Sequence, residues 1–279
     1  MPSTPYAARQ PKTEKGEQPV TVLVTGFGPF LSKYPKNSSW EIASALPALI
    51  PTSPQNPTPI HIHVHHDAIR VAYNTVVDLV PSLLPPANPL YPVPDIILHI
   101  GLAAGRRHFA LEQGAHGTGY AKIPDVDGEK FSDDLGESKF HANKIPKKLT
   151  TSFDTSDVLA RWKAYLGYVS VDGDPGIEEC PDVRLSPDAG NFLCGFLYYN
   201  SLAHYYAINA SKRPVVFLHV PDLSDNEAKL REGWEVTIAL IKALVESKRK
   251  VGVTDKIDGD AVHVEEKRKV EAETDNNFV

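Results

Sequence analysis

Cysteine is scarce in this 279-residue chain, with Cys180 and Cys194 its only two. Two thiols over this length cannot form a disulfide scaffold, and they suggest a reducing, cytoplasmic setting in which a thiol is free to react. A basic surplus is also missing. Lys and Arg number 29 against 35 Asp and Glu, a formal net charge of −6, so a nucleic-acid partner has no electrostatic support. No apolar run approaches the roughly 20 residues that cross a bilayer. The opening MPSTPYAARQPKTEKGEQP lacks the apolar core of a secretory signal, so no membrane partner is expected. No internal repeat is found. Gly26-Phe27-Gly28-Pro29-Phe30 has Leu31 where a dinucleotide fingerprint needs glycine, and Pro29 stiffens the loop, which argues against a nicotinamide or flavin site.

What remains is an ordinary globular composition, 42% hydrophobic and 23% charged. Residues 1–18 read as a disordered lead-in, 19–250 as one α/β domain and 251–279 as a charged, solvated tail. Within the domain, 129–156 is polar and lysine-rich and reads as a loop insertion. Proline-rich stretches at Pro51–Pro59 and Pro81–Pro94 read as surface connections. Strands are expected at Val20–Thr25, Ile60–Val71, Asp95–Gly101, Val183–Ser186 and Pro214–Val220. Helices are expected at Ser39–Leu49, Ala72–Leu84, Gly190–Ala207 and Asn226–Lys248, the last opened by a capping box from Ser224 to Glu227. Continuous β-branched runs alternating with helices predict a mainly parallel twisted sheet with helices on both faces, an α/β fold of phosphorylase/hydrolase-like type. Ligand sites in such sheets lie beyond the carboxyl ends of the strands.

Three reactive residues stand at such places. Cys194 follows a strand and a glycine-containing turn and falls in the first turn of a helix, where backbone N–H groups stabilise a thiolate or an oxyanion. His219 ends the run Val215-Val216-Phe217-Leu218, and imidazole titrates near neutral pH as a general base requires. Glu112 closes an apolar stretch after a Gly- and Ala-rich loop, and a carboxylate bonded to an imidazole fixes its tautomer. Each also has a plain reading: an inert buried thiol, a histidine bonded to a carbonyl, an exposed glutamate. No spacing argument joins the three. Phe27 and Phe30 suit either core packing or an apolar wall for a flat ligand. His61, His63 and His65 share one strand face with no further ligand cluster beside them and read as a polar face, so no metal is expected. Asp125-Val126-Asp127-Gly128 forms a turn without the ligand pattern of a calcium loop.

The segments VLVTGFGPF (with Asn37 and Ser39-Trp40 after it), PDIILHIGLAAGR, LEQGAHGTGY, DAGNFLCGFLYYNSL and VVFLHVP follow one another along the stretch from about Val20 to Ser247. Together they resemble the type I pyroglutamyl peptidase family, the pyrrolidone-carboxylate cysteine peptidases. The resemblance implies a catalytic triad of Glu112, Cys194 and His219. It also implies a pocket for the pyrrolidone ring lined by Phe27, Phe30, Phe192 and Leu193, and neither cofactor nor metal. The implied activity is hydrolysis of an N-terminal pyroglutamyl residue from small peptides through a thioacyl-enzyme. A non-catalytic pyroglutamyl-peptide binding protein of the same fold is the alternative. A nucleoside phosphorylase or hydrolase would need an Arg and Glu cluster that is not evident. Departures from the family pattern are Leu102 where bacterial members often have Gln, Leu31-Ser32 where they have glycines, and Lys122 where Arg is frequent. Association into a homo-oligomer is left open.

Overall fold

The structure, a computed structural model, describes residues 18–30, 35–86, 91–136, 144–168 and 180–254. In chain order the elements are β1 (Val20–Gly26), α1 (Ser38–Ser44), β2 (Leu49–Ile50), β3 (Ile60–Val64), α2 (Tyr73–Leu83), β4 (Ile96–Leu102), β5 (Phe109–Glu112) and β6 (Gly114–His116). There follow α3 (Asp133–Gly136), β7 (Lys148–Thr150), α4 (Thr155–Tyr165), β8 (Val183–Ser186), α5 (Leu193–Ile208), β9 (Val215–Val220) and α6 (Glu227–Lys250). Seven strands form one sheet in the order β2-β3-β1-β4-β9-β5-β8, and β6 pairs with β7 in a small second sheet. The β3, β1, β4 and β9 strands are mutually parallel, as the continuous apolar runs predict. β5 runs antiparallel to β9, and β8 lies parallel to β5 at the edge.

Both faces of the sheet are covered. Ile42 of α1, Trp162 of α4 and the inner row of α6 pack on one face; Val76 and Val80 of α2 and Phe196, Leu197 and Leu202 of α5 pack on the other. Trp162 donates its indole N–H to the Val236 carbonyl at 2.9 Å, tying α4 to α6 without leaving a buried donor unpaired. Among the described residues no helix is long and apolar enough to cross a membrane.

Several expectations are corrected. The helix expected over Ser39–Leu49 ends at Ser44, because Pro47 disfavours helical backbone at Leu46, and Leu49–Ile50 pairs instead with β3 as an antiparallel edge. The strand expected over Ile60–Val71 stops at Val64; its ladder resumes only at Ile69, bridged to Phe27. Pro81 lies within α2 rather than in a connection. The stretch read as a loop insertion holds α3 and β7 and supplies the start of α4; residues 137–143 within it lie outside the described residues. Val253, assigned to the tail, packs into the core beside α6. The lead-in 1–17 and the tail from 255 onward also lie outside the described residues.

The cap of α6 is likewise displaced by two residues. Asn226, not Ser224, accepts from the Ala228 and Lys229 N–H groups, while the Ser224 hydroxyl donates to Asp222. Loss of an N-cap acceptor costs about 1 kcal/mol. Asn226→Ala is therefore expected to lower the denaturant-unfolding free energy by about that amount, and Ser224→Ala by less than about 0.5 kcal/mol.

Candidate active site

The pleat of the sheet decides which side chains meet. Side chains two residues apart share a face, and Gly101 of β4 and Ala110 of β5 both lie opposite His219. His99, Gly101, Ala110, Glu112, Phe217 and His219 consequently all point toward α5. Glu112 stands one step along β5 from Ala110, the diagonal position from which a long side chain reaches across an antiparallel pair. Its Oε1 accepts a hydrogen bond from His219 Nδ1 at 2.7 Å, with 0% and 3% of the two side chains exposed.

A second donor reaches the same oxygen: Arg106 Nη1, at 2.7 Å. Glu112 Oε2 is buried without a hydrogen bond of good geometry, although the Ser186 hydroxyl lies close enough to help hold the carboxyl ionised. Burial by itself pushes the Glu112 carboxyl up, but His219 and Arg106 outweigh it and the net direction is down. The backbone of Glu112 is fixed from α5, where Tyr198 donates its hydroxyl to the Glu112 carbonyl at 3.1 Å.

Cys194 is the second residue of α5, whose N-cap is Phe192. The loop before it is shaped by Asp188, which accepts from the Gly190 N–H at 2.7 Å, and by Gly190 itself at φ +83°, a left-handed conformation that favours glycine. Asp188 is in turn held by His116 Nε2 at 2.6 Å. The thiol of Cys194 lies over β4 at Gly101. A Cβ built on Gly101 would come within 2.8 Å of Cys194 Sγ and 2.7 Å of Phe217 Cζ, so only glycine admits this approach. Cys194 also faces His219. Burial would lower the imidazole pKa, but the charge and hydrogen bonding of Cys194 and then of Glu112 raise it to about 9.

The expected pocket residues fall in one cluster. Phe27 and Leu193 are buried in it, with Phe30, Phe192 and Cys194 at its partly exposed margin. The Phe30 and Phe192 rings stand 6.5 Å apart, and Phe192 meets Tyr73 edge-on at 6.2 Å. The Phe27–Phe30 loop is anchored by α1: Phe27 N–H donates to Ser39 Oγ at 3.1 Å, and Asn37 Nδ2 donates to the Gly28 carbonyl at 2.8 Å. Leu102 closes β4 and is 9% exposed, whereas Lys122 is exposed. Leu31-Ser32 lie outside the described residues. The histidine face holds His63 and His65 near Tyr91, and among the described residues no three His, Cys, Asp or Glu side chains cluster to hold a metal.

Arg106, Gly101 and Tyr198 were not singled out from sequence as site residues. For Arg106 a signal exists: it stands six residues before Glu112, across a turn closed by its own N–H on the Ala103 carbonyl at 2.9 Å.

Comparison with known proteins identifies the family and the fold. The model of the pyroglutamyl peptidase family matches residues 20–158. Human pyroglutamyl-peptidase 1 is 30% identical over 209 residues, 74% of this chain and 82% of its own length. A pyrrolidone-carboxylate peptidase of Bacillus cereus is 26% identical over 257 residues, 87% of this chain and 99% of its own. Among solved structures, a mutant pyrrolidone carboxyl peptidase of Pyrococcus furiosus superposes with a TM-score of 0.60 at 22% identity, covering 81% of this chain and 99% of that one, and shares the fold.

Two outcomes follow from the geometry. Gly101→Ala is expected to slow iodoacetamide alkylation of Cys194 at least about tenfold while costing about 1–3 kcal/mol of stability, the cost of overpacking; alkylation kinetics and a urea melt measure the two. The His219 ring is expected to titrate near pH 9 by NMR, and lower in Cys194→Ala, where the thiolate charge is gone. Because that pKa is raised on folding, the stabilisation it brings is complete below the unfolded value of about 6.5. It is lost as pH rises through 9.

Proposed function

The chain belongs to the pyroglutamyl peptidase family, and from that premise we propose that it hydrolyses the amide bond following an N-terminal pyroglutamyl residue in small peptides. Cys194 is the nucleophile, His219 the proton carrier and Glu112 the orienting carboxylate. The observation carrying this reading is the buried 2.7 Å hydrogen bond from His219 Nδ1 to Glu112 Oε1, beside a thiol in the first turn of α5. With Nδ1 committed to the carboxylate, Nε2 is the nitrogen left to exchange a proton with Cys194.

The thiol proton passes to His219 Nε2, and the Cys194 thiolate attacks the carbonyl carbon that joins the ring to the next residue. First-turn N–H groups of α5 hold the oxyanion. As the C–N bond breaks, His219 returns its proton to the leaving amine, and the pyroglutamyl group stays on sulfur as a thioester. A water then attacks, giving its proton to His219, and pyroglutamate departs from a restored thiolate. These steps call on no cofactor and no metal.

Phe27, Phe30, Phe192 and Leu193 enclose the apolar faces of the lactam ring. A free N-terminal glutamine or glutamate carries an ammonium, which such a wall excludes because a buried unpaired charge is costly. An N-terminal proline has a ring but no lactam oxygen, and would leave a donor in the site unpaired.

Turnover of a fluorogenic pyroglutamyl amide by the wild-type protein, with no turnover by Cys194→Ala, is the expected result. Tight binding of pyroglutamyl peptides without turnover would favour the non-catalytic alternative and sink this reading.

A further inference from the structure

The catalytic scheme uses His219 and Glu112 but leaves Arg106 without a role, although its guanidinium bonds the same carboxylate oxygen as the imidazole, at the same 2.7 Å. The partners differ in exposure. Glu112 is wholly buried, while 21% of the Arg106 side chain is open to solvent, so the arginine closes the outer side of the carboxylate. A charge this deep needs neutralising. When Cys194 is a thiolate and His219 an imidazolium, the site holds two charges of each sign only if Arg106 is counted. Without it, the buried cluster carries a net negative charge.

Resting on the peptidase reading, we propose that Arg106 is a positioning residue, which holds Glu112 Oε1 on His219 and sets by its positive charge the pH range over which the imidazolium–thiolate pair persists. The neighbours of this cluster leave that task to Arg106. From α5 come Cys194 and Tyr198; Tyr120 also lies within reach of the Cys194 charge. His108 at the head of β5 is lowered by its burial, then by Arg184 and Arg106, and so stays neutral near pH 7. On the β8 side, Ser186 is uncharged and Arg184 is paired with Asp182 at 2.6 Å. Among the described residues, Arg106 is thus the cation in hydrogen-bond contact with Glu112 besides His219.

Removing a positive charge makes every neighbouring group hold its proton more tightly. Glu112 and His219 therefore both titrate at higher pH in a neutral variant, and the active window moves upward as a whole. The test compares wild type with Arg106→Met, Arg106→Gln and Arg106→Lys, each checked for folding by circular dichroism. Alkylation of Cys194 is followed by peptide mass spectrometry across pH, and kcat and KM are followed on a pyroglutamyl amide. For Met and Gln both limbs of the pH profiles are expected to move up by about one unit. At pH 7, kcat is expected to fall about tenfold or more with KM little changed. Lys, which keeps the charge, is expected to stay within about 0.3 unit of wild type. Profiles that do not move in either neutral variant, or a rise in KM with kcat and profile unchanged, would overturn the proposal, the latter by making Arg106 a substrate contact. Alkylation needs no turnover. A wild-type protein inactive on the amide would therefore sink the peptidase reading, while the alkylation profiles would still judge Arg106.

Discussion

The arrangement depends on one antiparallel pairing inside a mainly parallel sheet. In a purely parallel sheet, functional groups gather at the carboxyl ends of the strands, all at one level. His219 obeys that rule near the end of β9. A carboxylate bonded to its Nδ1 has to lie lower, beside the strand rather than beyond it. β5 turns back after β4 and runs down along β9, which brings Glu112 opposite Phe217, two residues below His219 and on the same face. The 2.7 Å bond is then a diagonal contact across the ladder. Backbone pairing on both sides fixes its geometry, with Tyr198 adding a tie from α5.

Cys194 comes down onto this pair from above the sheet. α5 is apolar almost all round at its start and is buried between the sheet, α2 and the β6–β7 pair. That burial fixes the helix, and the absence of a side chain at Gly101 lets its second residue reach the strand. The His99 ring, bonded to Thr25 at 2.8 Å and to Ser201 at 3.0 Å, adds a polar link between β1, β4 and α5 one step below the site. Burial pulls the His99 pKa down to about 3, so this ring remains neutral and serves as structure, while His219 on the next strand is raised. Two histidines on one face of the same sheet are thus driven in opposite directions by whether a counter-charge accompanies their burial.

Much of this was legible in the residues. β1, β4 and β9 are predominantly apolar runs broken by single polar residues, which read as buried parallel strands, and α6 carries its apolar row at helical spacing. What escaped has physical causes. α4 buries only Thr155, Val158 and Trp162 fully and carries Asp157, Arg161 and Lys163 among its half-buried positions, so its periodicity is faint against the polar segment before it. β7 is three residues long with one buried, below the length at which alternation can be recognised. Glu112, Cys194 and His219 were each visible as reactive residue types at element ends, but their meeting was not. Sequence spacing says nothing about a contact between residues 107 apart, and the antiparallel turn of β5 that makes it has no local signature. Only an ordered likeness to a family joined them beforehand.

The same turn explains why an arginine stands beside Glu112 and His219. To reverse direction between β4 and β5 the chain must leave the sheet, and it does so over residues 103–108, closed by the Arg106 N–H on Ala103. The loop crosses just outside the carboxylate that β5 then carries inward. A small apolar residue there would leave the outer side of Glu112 open, with His219 alone to balance its charge. A long side chain with a planar cationic end seals the gap and supplies the missing charge, and guanidinium does so at less desolvation cost than an ammonium. The reversal that makes the Glu112–His219 contact possible also creates the opening that Arg106 fills, so both follow from one feature of the topology.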